Sequence, residues 1–311
     1  MAVYTQVSAE ALAMFLERYD VGTLVSAKGI AEGVENTNYL VETTGGRFIL
    51  TLYEKRVDAD DLPYFLGLTE HLAEKGLPVP APIRDREGRA LQMLNGRHAC
   101  LIEFLSGVSV SAPTAAHARE AGETLAGLHR GAADFDSQRA NALSLSGWLE
   151  LAASLGGRLG EIDKSLPDLV TQEMTVLAEN WPQGLPSGNI HADMFPDNVL
   201  FSDSSISGVI DFYFACTDML AYDLAVTHAA WAFDDEGALQ PGIGETLVES
   251  YHSHRPLSDE EREALPTLCR GAALRFLLTR AYDWLNTPAD AVVVKKDPMA
   301  FARRLLHYHA A

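Results

Sequence analysis

A chain of 311 residues with 24 Lys and Arg against 43 Asp and Glu carries a formal net charge of −19, which excludes a surface built to bind nucleic acid or an anionic membrane. Such a length buries a large core and predicts two lobes or domains, and with so acidic a composition any anionic ligand must be met locally, by a metal ion and a few basic groups. Cys100, Cys216 and Cys269 are widely spaced with no C-x-x-C pair, which excludes a disulfide framework or a zinc site and predicts reduced, mostly buried thiols.

The first residues, Met1-Ala-Val-Tyr-Thr-Gln-Val-Ser8, have no basic stretch leading into an apolar one, and no segment approaches ~18 uninterrupted apolar residues. The expected location is cytoplasmic. Ser8 then caps an amphipathic helix over Ala9 to Tyr19, with Leu12, Phe15, Leu16 and Tyr19 on one face. Strands are expected over Thr23 to Ile30, Asn38 to Thr43 and Phe48 to Tyr53, the latter two joined by the hairpin signal Gly45-Gly46. Asp61 to Lys75 reads as a helix closed by Gly76 and by Pro78-Val-Pro80-Ala-Pro82. Arg89 to Leu94 and Arg97 to Leu105 flank Asn95-Gly96, a type I′ turn signal.

Beyond Gly107 the texture turns helical. Helices are predicted over Thr114 to Arg130, Ser146 to Leu159, Leu166 to Trp181, Met219 to Trp231, Gly242 to His254, Ser258 to Leu285 and Pro298 to His309, with Pro266 splitting or kinking the longest. The boundary between the two textures, near residues 104 to 108, is read as a hinge.

One segment interrupts these helices: His191-Ala-Asp193-Met-Phe-Pro-Asp197-Asn198-Val-Leu-Phe201, followed by Val209-Ile210-Asp211-Phe212. Asp193 and Asn198 are five residues apart, the step between Asp and Asn in the H-R-D-x-x-x-x-N loop of protein kinases, and Asp211 ends a short apolar run where the D-F-G aspartate would stand. The chemistry explains the residue types. A carboxylate orients and deprotonates an attacking hydroxyl, while an amide oxygen and a second carboxylate are hard ligands for Mg2+ on ATP phosphates. Asp193 fits the base; Asn198 and Asp211 fit the metal ligands. A metal-dependent hydrolase built on His191, Asp193 and Asp197 is the lesser alternative, because such sites use more His and carboxylate ligands than lie nearby.

These residues resemble the aminoglycoside and choline phosphotransferase-like kinases, whose H-x-D-x-x-x-x-N and I-D-F/W segments look like His191 to Asn198 and Ile210 to Phe212. A narrower resemblance spans nearly the whole chain. Gly33-Val-Glu-Asn-Thr-Asn-Tyr39, Phe48-Ile-Leu-Thr-Leu-Tyr-Glu-Lys-Arg-Val57, Asp61-Leu-Pro-Tyr-Phe-Leu-Gly-Leu68, Leu128-His-Arg130 and Ala273-Leu-Arg-Phe276 look like the bacterial homoserine kinases of this kinase-like type. The resemblance implies an α+β, bilobal protein-kinase-like fold: a small antiparallel-sheet lobe with one main helix over residues 1–105, for nucleotide, and a larger, mostly helical catalytic and substrate lobe over 106–311. It also implies transfer of the ATP γ-phosphoryl group, with Mg2+, to the hydroxyl of L-homoserine, a step toward threonine, and a hinge backbone for adenine at Glu103, Phe104 and Leu105.

Two departures stand out. The strand position for the phosphate-pairing lysine of protein kinases holds Thr51, leaving Lys55 or Lys28 as substitutes and Glu70 as a helical partner; and Phe212-Tyr213 follows Asp211 where protein kinases have Phe-Gly. The glycine-containing stretch Gly29 to Asn38 lies where a phosphate-covering loop would be, without spelling G-x-G-x-x-G. An amino-acid acceptor needs a cation for its carboxylate; Arg275 or Arg280 is the candidate clamp, with a surface or interlobe salt bridge as the competing reading that exposed arginines usually favour. A sister kinase for another amino alcohol or an aminoglycoside, and a catalytically silent binding protein, are the remaining readings. His252-Ser-His254 and His307-Tyr-His309 are read as helix-end histidines, because i,i+2 spacing does not put both on one face.

Overall fold

The computed structural model describes residues 5–30, 36–54, 58–287 and 295–310. The chain forms two compact units, residues 1–107 with 207–213, and residues 108–206 with 214–311.

In the first unit, α1 (Ala9–Leu16) starts where the Ser8 hydroxyl accepts from Ala11 N and buries Leu12, Phe15 and Leu16. These meet a six-stranded antiparallel sheet: β1 (Leu24–Ile30), β2 (Thr37–Thr43), β3 (Gly46–Leu52), β4 (Pro82–Ile83), β5 (Gln92–Leu94) and β6 (Arg97–Glu103), in the order β1-β2-β3-β6-β4 with β5 also on β6. Val41 stands opposite Phe48, and Leu50 opposite Leu101. Val41, Leu50 and Leu101 close over α1, each fully buried side chain contributing roughly 1.5–3 kcal/mol of transfer free energy. Between β3 and β4, α2 (Leu62–Glu74) buries Leu62, Phe65, Leu68 and Leu72. Asn95 and Gly96 both have positive φ, 49° and 73°, as a type I′ turn requires. Five strands were expected here and six are present among the described residues. β4 was hidden by its proline, which a sheet tolerates at an edge where its missing N–H leaves no ladder bond unmade.

In the second unit, α3 (Ala115–Gly131) begins at a Thr114–His117 capping box. α4 (Leu145–Leu155) ends at Gly156, whose φ of 52° stops the helix predicted to reach Leu159. α5 (Leu159–Ile162) and α6 (Leu166–Asn180) follow, then β7 (Ser187–Ile190) and β8 (Val199–Ser202). β9 (Ser205–Val209) follows, its residues from Ser207 on belonging to the first unit, and β10 (Cys216–Met219), again in the second, pairs antiparallel with β7. The elements that follow are all helices among the described residues: α7 (Leu220–Trp231), α8 (Ile243–His254), α9 (Asp259–Asn286) and α10 (Met299–Ala310). α7 is the central helix, buried at every residue but Leu220 and His228. Gly122 lets α3 lie close on α8; a Cβ there would collide with the Leu247 carbonyl and come within 2.9 Å of Tyr251 N. Of the split or kink expected at Pro266, the split does not occur. Pro266 and Arg262, whose carbonyl loses its i+4 donor, are both exposed, so water can take that bond and the helix runs on.

All three cysteines are buried and unbridged, and burial pushes each thiol up to about 12. Among the described residues no helix is long and apolar enough to cross a membrane.

His228 of α7 is hydrogen-bonded to the Tyr308 hydroxyl at 2.7 Å, and its pKa falls from 6.5 to about 4. Burial is the main cause; Glu245 opposes it and His307 adds to it. With the folded value below the unfolded one, the unfolded chain takes up the proton first, so stability drops as pH falls from 6.5 toward 4. Urea unfolding across this range is expected to show His228→Gln losing less than the parent chain, by roughly 2–3 kcal/mol at the acid end. Parallel profiles would refute it.

Candidate active site

The second unit builds a loop around Asp193. β7 delivers His191 from its last residue, Ile190, and the chain then bends through Ala192 at φ 61°, a left-handed conformation that costs a residue with a Cβ about 1–2 kcal/mol. Both sides of that bend are held. The Asp223 carboxylate, fully buried on α7, accepts from His191 N at 2.8 Å and Ala192 N at 2.7 Å. On the other side, Arg275 Nη1 of α9 donates to the Ala192 carbonyl at 2.5 Å, and Trp231 Nε1 donates to the Met194 carbonyl at 2.8 Å. His191 orders the loop, its Nδ1 accepting from Asp193 N at 3.1 Å.

Asp193 itself is half-buried. Asn198 Nδ2 donates to its backbone carbonyl at 2.8 Å and to its Oδ2 at 3.1 Å. Occupying the amide nitrogen places Asn198 Oδ1 on the opposite side of the group, a hard oxygen of the kind magnesium takes. Asp197, between them, is exposed and pairs with Lys296 at 2.8 Å.

The two arginines expected to clamp a carboxylate part company. Arg275 is 1% exposed, committed to Ala192 and stacked on the Phe276 and Phe214 rings at 4.6 and 5.5 Å. The expectation that it grips substrate is corrected: it holds the loop from behind. Arg280, about one turn further along α9, is half-buried over the Phe301 ring at 4.5 Å. Burial pulls its pKa from 12.5 down to about 10, against the pull of the carboxylates Asp197, Asp235, Asp297 and Asp193. Arg280 thus shares the electrostatic neighbourhood of Asp193.

The remaining predicted residues lie in the first unit. Asp211 is exposed with φ 66°, left-handed like Ala192. Glu103 ends β6, its N donating to Ala81 O at 3.0 Å and its carboxylate accepting from Ala81 N at 3.2 Å. Phe104, under the Arg47 guanidinium at 4.5 Å, and Leu105 are half-buried just past the strand. Thr51, standing at the lysine position, is buried and donates to Asn38 Oδ1 at 2.8 Å, while Asn36 Oδ1 accepts from Glu54 N at 3.3 Å. Lys28 is exposed on β1. Glu70, expected as the lysine's helical partner, has both of its oxygens bonded by Arg84, at 2.6 and 2.5 Å. Lys55 and residues 31–35 lie outside the described residues.

The histidines stand near helix ends, as expected, but His252 and His307 are half-buried rather than facing solvent. His252 accepts from Leu257 N, and His309 bonds the buried Glu173 that also holds Arg270. Among the described residues no three His, Cys, Asp or Glu side chains converge as a metal-binding group.

The loop's supports, Asp223 and His129, were missed from sequence. His129 Nε2 lies 2.9 Å from Asp223 Oδ2, and since an ionised carboxylate only accepts, that nitrogen carries the proton. His129 Nδ1 then meets the Tyr251 hydroxyl at 2.7 Å. One signal was available: an aspartate inside the apolar run Met219-Leu-Ala-Tyr-Asp223-Leu-Ala-Val226 needs buried partners to be tolerated.

Residues 26–257 match the family model described as the phosphotransferase enzyme family. A homoserine kinase of Xanthobacter autotrophicus is 53% identical over 310 residues, covering 100% of this chain and 97% of its own. One of Granulibacter bethesdensis is 52% identical over 311 residues, covering 100% and 98%. Among solved structures, an amicoumacin kinase in complex with AMP-PNP, Ca2+ and Ami superposes with a TM-score of 0.76 at 13% identity, covering 98% of this chain and 94% of that one. At that identity the likeness speaks for the fold alone, which is protein-kinase-like. With the loop geometry, the family match and relatives aligned end to end, this chain belongs to the phosphotransferase enzyme family, alongside the homoserine kinases.

Proposed function

We propose that this chain transfers the γ-phosphoryl group of ATP to the hydroxyl of L-homoserine, giving O-phospho-L-homoserine and ADP. ATP is the donor that membership among these kinases implies. The observation that supports the acceptor is that Arg280 lies within the electrostatic reach of Asp193 in the second unit, alongside Asp197, Asp235 and Asp297. A hydroxy amino acid presents a hydroxyl for the first and a carboxylate for the second.

In this reading Asp193 orients the hydroxyl and takes its proton as the oxygen attacks the γ-phosphorus. The bond from that phosphorus to the bridging oxygen breaks, and ADP leaves with the electron pair. Asn198 and Asp211 would hold Mg2+, which when bound neutralises charge on the phosphate oxygens. The loop bonds from Asp223, Arg275 and Asn198 keep Asp193 oriented before substrate arrives, so little reorganisation is left to the reacting complex. Residues 1–105 serve as the nucleotide lobe, with Glu103, Phe104 and Leu105 offering backbone to adenine, and residues 106–311 as the catalytic and substrate lobe.

ADP release should be stimulated by L-homoserine over choline, ethanolamine, L-serine and kanamycin. Arg280→Ala is expected to raise the KM for homoserine about 10- to 100-fold, the worth of one charge-assisted contact, with the KM for ATP changed less than about twofold. Stimulation by a different acceptor would overturn the choice of substrate and leave the kinase reading standing.

A further inference from the structure

We propose that Tyr213 is the positioning residue that sets Asp211 for the metal, a role which rests on the reading above that Asp211 holds Mg2+. The segment 207–213 is part of the first unit and is tied to it at both ends. At its start, Ser207 Oγ donates to the Ser106 carbonyl at 2.6 Å and Val209 N donates to the Pro78 carbonyl at 2.7 Å. At its end, the Tyr213 ring packs edge-on against Tyr53 at 5.5 Å and 84°, and against Phe65 of α2 at 5.8 Å and 88°. The Tyr213 hydroxyl reaches the Tyr53 hydroxyl at 3.4 Å, which in turn meets Cys100 Sγ of β6 at 3.0 Å.

Asp211 lies between these two anchors, exposed and in the left-handed region at φ 66°. A backbone of that kind persists only where its surroundings over-determine it. Tyr53, Phe65 and Cys100 are all buried, 4%, 2% and 0% exposed, so the pocket receiving Tyr213 is made of rigid core rather than mobile surface. The glycine that follows Asp-Phe in protein kinases offers no such ring. Here the aromatic residue ties the aspartate to the β3–β6 core, so the Asp211 carboxylate is presented in one orientation instead of moving between two.

The test measures ADP affinity by calorimetry, once with Mg2+ and once with EDTA; the ratio is the gain due to the metal. Asp211→Asn is expected to abolish the gain. Tyr213→Leu, which removes ring stacking and hydroxyl together, should cut it about 10-fold, the usual cost of losing a group that orients a metal ligand, while the affinity in EDTA stays as in the parent. Tyr213→Phe, which keeps the ring, should cut it about threefold, the worth of one hydrogen bond. A merely structural tyrosine would lower Tm and leave the ratio unmoved. Loss of the gain in Asp211→Asn with a parental gain in Tyr213→Leu overturns the proposal. Should Tyr213→Leu not fold, a parental gain in Tyr213→Phe overturns it instead. A parental gain in Asp211→Asn itself would sink the metal-ligand reading and this inference with it.

Discussion

Asp193→Asn is expected to lower kcat by about 10³-fold, within the range a positioned base supplies, while the KM for ATP moves less than about twofold. The substitution is close to isosteric. An asparagine can still accept from Asn198 Nδ2 through its own Oδ1, and the bonds made by the residue 193 backbone, to His191 Nδ1 and from Asn198, do not involve the changed atoms. What disappears is an oxygen able to take a proton and the negative charge that draws the hydroxyl toward attack. Single-turnover phosphoryl transfer and urea unfolding, measured side by side, separate the two effects. A large fall in rate with stability within about 0.5 kcal/mol of the parent is the expected pair. A variant keeping about a tenth or more of the parent rate would remove Asp193 as base.

Asp223→Ala is expected to cost about 3–5 kcal/mol of stability and to depress activity in whatever fraction still folds. The carboxylate accepts from His191 N, Ala192 N and His129 Nε2, and alanine would leave all three donors buried without a partner. Ala192 would also lose the clamp that holds its left-handed bend, so the loop carrying Asp193 should relax. The pKa of Asp223 lies below the ordinary 3.8. Burial works against ionisation, and the bonds and charges of His129 and His191, with the backbone N–H of His191, outweigh it. A folded value beneath the unfolded one means the contribution is complete above the ordinary carboxylate range and is lost as pH falls through it. The parent chain therefore gives up stability below about pH 4 that Asp223→Ala no longer has to lose, and the difference between their unfolding free energies should narrow there. A constant difference down to pH 3 would contradict the assignment.

The loop proposed to carry the base and one metal ligand was legible because its two residues stand close together along the chain. Asp193 and Asn198 sit on one short loop, and their mutual hydrogen bond at 3.1 Å spans only five residues. The division of labour between Arg275 and Arg280 was not legible. Both stand on α9 and both are arginines; only the packing of α9 against the loop buries one behind Ala192 and leaves the other half-exposed beside the carboxylates. Glu70 shows the same limit. Helix α2 presents it as a partner for any nearby cation, and Arg84, arriving after Pro82, takes it.

The sequence by itself determined the local pieces. The Ser8 cap, the Asn95-Gly96 turn and the start of α9 after Ser258 depend on backbone chemistry within three or four residues, where side chain and main chain meet regardless of what lies elsewhere. Tertiary structure decided the rest. β4 on β6, β7 on β10, Asp223 on Ala192 and Arg275 on the same residue join positions far apart in the chain, 31 and 83 residues apart in the last two cases. A hydrogen bond reaches about 3 Å in space and carries no information about sequence distance. Which buried aspartate meets which strained bend is therefore settled only when α7 and α9 pack around the loop.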